Sequence, residues 1–277
     1  MADMSKYENI KIEKENGITW LILNRPEKRN AMSPQLHAEC NDALYNLATD
    51  PETQVLILTG AGDAYCAGQD LKLFFRGTEG KARERFEASE NSHQWRWQRL
   101  SRFPKPTIAM VNGFCFGGAF VHLCACDLAV SADEATFGLS EVNWGIIPGG
   151  SVSWNVSDLL NFRNAMYYAM TGDPFGGQVA AQIGLVNYSV PLAKLREETI
   201  KLANKMKEKN PMTLRYTKEA IRSVRGMHEQ QALDYLNAKT DALRLRDPEK
   251  GRDTALAQFV DEKLYRPGLG NYIRDKK

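Results

Sequence analysis

The chain has 277 residues, 43% of them hydrophobic and 25% charged, an ordinary globular composition that excludes global disorder. That length fits one large α/β domain, or a core with a smaller appended part. Thirty-six Lys and Arg against thirty-four Asp and Glu leave a formal charge of +2, which gives no support to a nucleic-acid wrapper or a polybasic membrane protein.

No apolar stretch follows the opening MADMSKYENIKIEKE, so no signal peptide is expected. Nowhere does a run approach the roughly 20 apolar residues of a membrane span. The expectation is a soluble, cytoplasmic protein. Residues 17–24 (GITWLILN) form a compact β-rich run closed by Arg25-Pro26. Residues 34–48 then carry Leu36, Cys40, Leu44 and Leu47 at helical spacing, with Ser33 as N-cap and Pro34 in the first turn. A second strand, QVLILT over 54–59, ends at Gly60-Ala61-Gly62. Residues 81–102 read as a charged helix bearing Trp95 and Trp97. Strands follow at 107–111 (TIAMV) and 127–131 (DLAVS). Apolar strands separated by helices predict a parallel sheet covered on both faces.

Beyond residue 192 the period changes. Stretches 192–209, 212–224, 229–245 and 249–263 all read as helices, with breaks at Asn210-Pro211 and Asp247-Pro248. The predicted organisation is a βα core over 1–191 followed by a helical part over 192–277. Five scattered cysteines and four histidines offer no closed metal site, so no metal is expected and the thiols read as buried core groups.

Three glycine-bearing loops follow the strands: residues 66–72 (CAGQDLK), 112–119 (NGFCFGGA) and 137–150 (FGLSEVNWGIIPGG). Loops beyond the carboxyl ends of parallel strands are where open α/β sheets bind ligands. Gly117-Gly118 before the apolar AFVHLCA reads as a helix start, where backbone N–H groups can meet an anion. Neither GxGxxG nor GxxxxGK[ST] occurs, so a dinucleotide or nucleoside triphosphate is not the natural ligand.

Taken together, LNRPEKRNAM (23–32), LTGAG (58–62), AGQD (67–70), KPTIAMVNG (105–113), CDLAVSADEATF (126–137), GLVN (184–187) and the 259–263 segment resemble the crotonase (enoyl-CoA hydratase/isomerase) superfamily over essentially the whole chain. The tracts 24–34, Trp95-Arg96-Trp97, 112–118, 132–141 and 171–178 are most similar to its hydroxycinnamoyl-CoA (feruloyl-CoA) hydratase-lyase branch. The resemblance implies an α/β fold, a crotonase-like spiral of ββα units over 1–191. It implies a helical trimerisation region over 192–277, assembled as a homo-trimer or dimer of trimers. The activity implied is hydration of a phenylpropenoyl-CoA, then retro-aldol cleavage to an aromatic aldehyde and acetyl-CoA. No bound cofactor is expected; coenzyme A enters as part of the substrate thioester.

Residue by residue, the resemblance gives Gln69 and Gly118 the oxyanion-hole N–H groups and Glu141 the acid/base role. It places CoA against Lys28, Arg29, Ala31, Ala67 and Leu71, with Phe259 and Lys263 supplied by a neighbouring subunit. Three positions depart from the pattern. Val121 stands where ordinary hydratases carry a second catalytic Glu and the hydratase-lyases a Ser, which favours a scheme with one glutamate. Phe74 and Asn237 stand where the hydratase-lyases place tyrosines for the substrate's 4-hydroxyl. Trp95, Trp97 and Trp144 are candidates for the wall of an aromatic acyl pocket, against plain core packing. His122, one residue past Val121, points elsewhere on a helix and reads as structural or surface. Open alternatives are an enoyl-CoA hydratase or isomerase acting on another acyl chain, and a catalytically silent CoA- or RNA-binding relative.

Overall fold

The computed structural model describes residues 6–265, 268 and 270–274. The main sheet runs β1 (Ile10–Glu15), β2 (Ile18–Leu23), β3 (Val55–Gly60), β5 (Thr107–Val111), β7 (Leu128–Ala132) and β10 (Tyr188–Val190), in that order across the sheet. All neighbouring pairs are parallel except β1 with β2. The sheet is therefore mixed at one edge, where sequence reasoning predicts parallel strands throughout. Ile10 is buried while Lys11, Glu13, Lys14 and Glu15 face water or lie half-covered, the pattern of a charged edge strand rather than an apolar run.

A second sheet is built from β4 (Ala64–Cys66), β6 (Phe114–Phe116), β8 (Thr136–Gly138) and β9 (Phe175–Gly176). The chain alternates between the sheets: β3 then β4, β5 then β6, β7 then β8, with a helix after each pair. Those helices are α2 (Ala82–His93), α3 (Ala119–Ala125) and α4 (Val152–Leu159). This alternation is the expected spiral of ββα units.

β4 and β8 pair in parallel with the two sides of β6, and Cys66, Cys115 and Phe137 line up across them. Gly138 admits this packing because a Cβ there would sit 2.4 Å from the Phe116 ring. The three site loops consequently leave the carboxyl ends of neighbouring short strands, not of the longer strands named above. Three-residue strands carry no readable period, which is why the sequence hides them.

Helix α1 (Pro34–Thr49) begins as expected, Ser33 Oγ accepting from Leu36 N–H at 3.2 Å, and buries Leu36, Cys40, Leu44 and Leu47. All five cysteines are buried free thiols. The later helices are α5 (Phe162–Thr171), α6 (Gly177–Gln182), α7 (Leu192–Lys207), α8 (Pro211–Val224), α9 (Glu229–Arg246) and α10 (Gly251–Leu256). Among the described residues, no helix is long and apolar enough to cross a membrane.

Candidate active site

A cavity of about 950 Å³ opens above the carboxyl ends of β4, β6 and β8. Its floor is set by how the first loop is tied down. Asn30, buried in the left-handed region at φ 57°, accepts Arg25 N–H and donates to the carbonyls of Ala61 and Ala64 at 2.8 and 2.7 Å. Asp70 accepts from Arg25 at 3.0 Å and from the N–H groups of Lys72 and Leu73, capping the turn over Leu71–Phe75.

Met32 N–H donates to Gly68 O and Asp70 N–H to Met32 O. Alternation along extended backbone then turns the intervening Gln69 N–H to the opposite side, toward the cavity. On β6's continuation, Gly117 (φ 51°) donates to Gly138 O at 3.0 Å, and Gly118 caps α3. Among the described residues, the N–H groups of Gln69 and Gly118 have no protein acceptor. Two such orphans lining one cavity form a ready site for a negatively charged oxygen.

The Gln69 side chain is held by a buried relay. Trp95 Nε1–H donates to His37 Nδ1 at 2.8 Å, so the His37 proton sits on Nε2 and is donated to Gln69 Oε1 at 2.8 Å. Gln69 Nε2 then donates to Ser92 Oγ at 3.2 Å. Burial, reinforced by the Arg96 charge, pushes the His37 pKa down to about 3, keeping the ring neutral. His122 is fully buried against Tyr65 and Trp95, a structural histidine with both ring nitrogens unpartnered among the described residues; burial holds its pKa well below the ordinary value.

Both histidines take up protons near pH 6.5 when unfolded and resist doing so when folded. The His37 contribution to stability is therefore full above about pH 6.5 and falls as pH drops toward 3, by about 1.4 kcal/mol per pH unit, and His122 acts in the same direction. Thermal melts should show Tm falling between pH 6.5 and 5, less steeply in H37Q. A Tm flat across that window contradicts the assignment.

Glu141 lies on the 3-10 turn Ser140–Trp144 that follows β8. Its carboxyl faces the Gly117-Gly118 loop: a Cβ added at Gly117 would stand 3.2 Å from Glu141 Oε1. Oε2 is buried without a hydrogen-bond partner among the described residues, and burial raises the pKa above the ordinary carboxylate value, its own backbone N–H partly offsetting this. Glu141 is the only carboxylate lining the cavity among the described residues. Val121, buried on α3, presents an apolar wall where a second acid would stand.

The cavity also gathers Arg29, Ala67, Leu71, Phe74 and Trp144. Arg29 stands at the rim with its guanidinium carbon 4.3 Å from the Phe114 ring centroid. Lys28 and Ala31 sit in the adjoining loop outside the lining. Asn237 on α9, Phe259 on the wide turn Ala257–Asp261 and Lys263 beyond it are not among the residues lining the cavity. Of the candidate tryptophans only Trp144 lines it; Trp95 is fully buried on His37 and Trp97 packs edge-on to Trp154 at 4.9 Å. Sequence reasoning passes over Arg96 between them, which the structure places in the cavity wall.

The family model described as enoyl-CoA hydratase/isomerase matches residues 13–261. A hydroxycinnamoyl-CoA hydratase-lyase from Pseudomonas fluorescens is 53% identical over 98% of this chain and 100% of its own length. Among solved structures, an enoyl-CoA hydratase from Bacillus anthracis superposes with a TM-score of 0.83 at 29% identity, covering 92% of this chain and 97% of that one. Enoyl-CoA hydratase subunit I from Geobacillus kaustophilus gives the same TM-score and identity, over 93% and 96%.

Proposed function

The chain belongs to the enoyl-CoA hydratase/isomerase family, and from that premise we propose that it hydrates a hydroxycinnamoyl-type CoA thioester and then cleaves it to an aromatic aldehyde and acetyl-CoA. The observation that carries the mechanism is the lone Glu141 carboxyl set against the two orphan N–H groups of Gln69 and Gly118.

The thioester carbonyl accepts both N–H groups. Glu141 takes a proton from water as its oxygen bonds the β-carbon; the alkene pair moves onto the thioester oxygen as an enolate. Glu141 returns the proton to the α-carbon, giving the β-hydroxyacyl thioester. It next takes the β-hydroxyl proton. The Cα–Cβ bond breaks, the aldehyde forms, and the pair becomes the acetyl enolate, which Glu141 protonates. Both stages place negative charge on the same oxygen, so one hole and one acid/base serve both. A raised carboxyl pKa suits a group that must both give and accept a proton near neutrality.

Running the reaction in deuterium oxide tests the scheme. Each turnover should deliver two solvent deuterons to the methyl group of acetyl-CoA, one from each stage. Accumulation of the β-hydroxyacyl thioester with no acetyl-CoA would reduce the protein to a hydratase.

The CoA portion is assigned to the rim formed by Arg29, Lys28 and Ala31 with Ala67 and Leu71, cations meeting phosphates and loop backbone meeting adenine. The remaining binding residues, Asn237, Phe259 and Lys263, are assigned to a neighbouring subunit of a homo-trimer or dimer of trimers built through the 192–277 region. Exposure of Ile221 (62%) and Leu245 (87%) in that region supports burial against further copies of the chain. Sedimentation as a monomer at assay concentration, with full activity, would remove that part.

Phe74, buried in the cavity wall, has no hydroxyl to meet the ring's 4-position. Replacing it with tyrosine should raise kcat/KM for coumaroyl-CoA relative to cinnamoyl-CoA by about tenfold, one neutral hydrogen bond's worth. An unchanged ratio would place the ring elsewhere.

A further inference from the structure

Arg96 is the least expected charge in the molecule. The chain turns from α2 into a wide π-helical segment, Gln94–Arg99, which turns the consecutive Trp95 and Arg96 inward together. Arg96 is 9% exposed. Its Nε–H donates to Ser92 O at 3.2 Å and Nη1–H to Gly118 O at 3.1 Å; Nη2 has no protein acceptor among the described residues.

No carboxylate pairs with it among those residues. The titratable groups near it are His37 on α1, His122 on α3 and Cys66 on β4, and all three are neutral: burial drives both rings' pKa values down and raises the Cys66 thiol to about 12. Glu141, across the cavity on the turn after β8, makes no ion pair with it. Burial pulls the Arg96 pKa down to about 10, and the group remains a cation at neutral pH. A buried, unpaired guanidinium is a standing cost to the fold unless a negative charge arrives during function.

We propose that Arg96 is the charge behind the oxyanion hole, its guanidinium fixed on the Gly118 carbonyl so that it stabilises the enolate oxygen held by the N–H groups of Gln69 and Gly118. Because the cation is fixed before substrate arrives, it favours the enolate over the neutral thioester. This deepens the proposed function and rests on it for the identity of the anion. Arg96 acts through field and through Gly118, and so is a positioning residue. It is also distinct from the phosphate-facing Arg29 at the rim.

The test uses acetoacetyl-CoA, whose enolate absorbs in the near ultraviolet, titrated on the full-length enzyme. Wild type should depress the bound thioester's enol pKa. R96Q, which keeps a donor for Gly118 O but loses the charge, should raise that bound pKa by about one unit and lower kcat by roughly 10–100-fold. Affinity for saturated butyryl-CoA should stay within about twofold. R96K, which keeps the charge, should recover most of the enolate signal. Equal bound pKa values in wild type and R96Q would overturn the inference, as would R96K behaving like R96Q. Failure of the wild type to turn over any arylpropenoyl thioester would instead overturn the proposed function, while the enolate titration still reads Arg96.

Discussion

Glu141→Gln should lower kcat for hydration and for cleavage together, by about a thousandfold, because the proposed mechanism gives a single group every proton transfer. Glutamine preserves the shape of the side chain in the turn after β8 and keeps an oxygen near Gly117, so the cavity stays intact. Binding of a saturated acyl-CoA should be unchanged within about twofold, since the carboxyl acts on the reacting carbons and not on the CoA rim. The comparison discriminates sharply because Val121 offers no second acid to take over. If E141Q lost hydration but cleaved a supplied β-hydroxyacyl thioester at the wild-type rate, a different base would operate in the second stage. Steady-state kinetics with each substrate, enoyl and β-hydroxyacyl, make the measurement.

Gly68→Ala should cost kcat on the order of 10²–10³, the loss expected when one oxyanion donor is misplaced. Gly68 has φ 92°, and a Cβ there would meet Phe116 O at 2.9 Å and Gly118 N at 3.5 Å. Both are backbone atoms of the opposite oxyanion loop, so the clash is relieved only by separating the strands that carry the two N–H groups. The strained φ adds roughly 1–3 kcal/mol of destabilisation. Gly80→Ala is the matched control: its φ is 71°, but nothing stands within 4 Å of the added Cβ. It should lose only the stability that the positive φ costs and keep full kcat. Equal activities in the two variants would show that spacing of the oxyanion loops does not limit the rate.

The legible parts of the fold are those with long local signals. β2, β3, β5 and β7 read as apolar runs, α1 as a capped amphipathic stretch, and α7 to α9 as helices within a few residues of their ends, while the single helix expected over 249–263 is α10 followed by the wide turn Ala257–Asp261. β1 is hidden because the alternation of Ile10 and Ile12 with Lys11 and Glu13 is too short to count before the charged Lys14-Glu15 end. β4, β6 and β8 are hidden by their length, yet they set the geometry of the candidate site, since each ends where a loop lining the cavity begins. Glu141, Gln69 and Gly118 are found through family resemblance, and the structure brings them to one cavity. Nothing in the motif marks Arg96 as buried: a charged residue within a charged helical stretch reads as solvated, and only the π-helical turn against α1 and α3 brings it inside. The relay from Trp95 through His37 to Gln69 spans residues far apart in sequence and is invisible before folding.

The most direct test of the account is product analysis after incubating the enzyme with cinnamoyl-, coumaroyl- and feruloyl-CoA beside crotonyl-CoA. The predicted result is loss of the enoyl chromophore with one aromatic aldehyde and one acetyl-CoA formed per arylpropenoyl thioester consumed. Crotonyl-CoA hydration or isomerisation alone, with no aldehyde from any arylpropenoyl substrate, would contradict it.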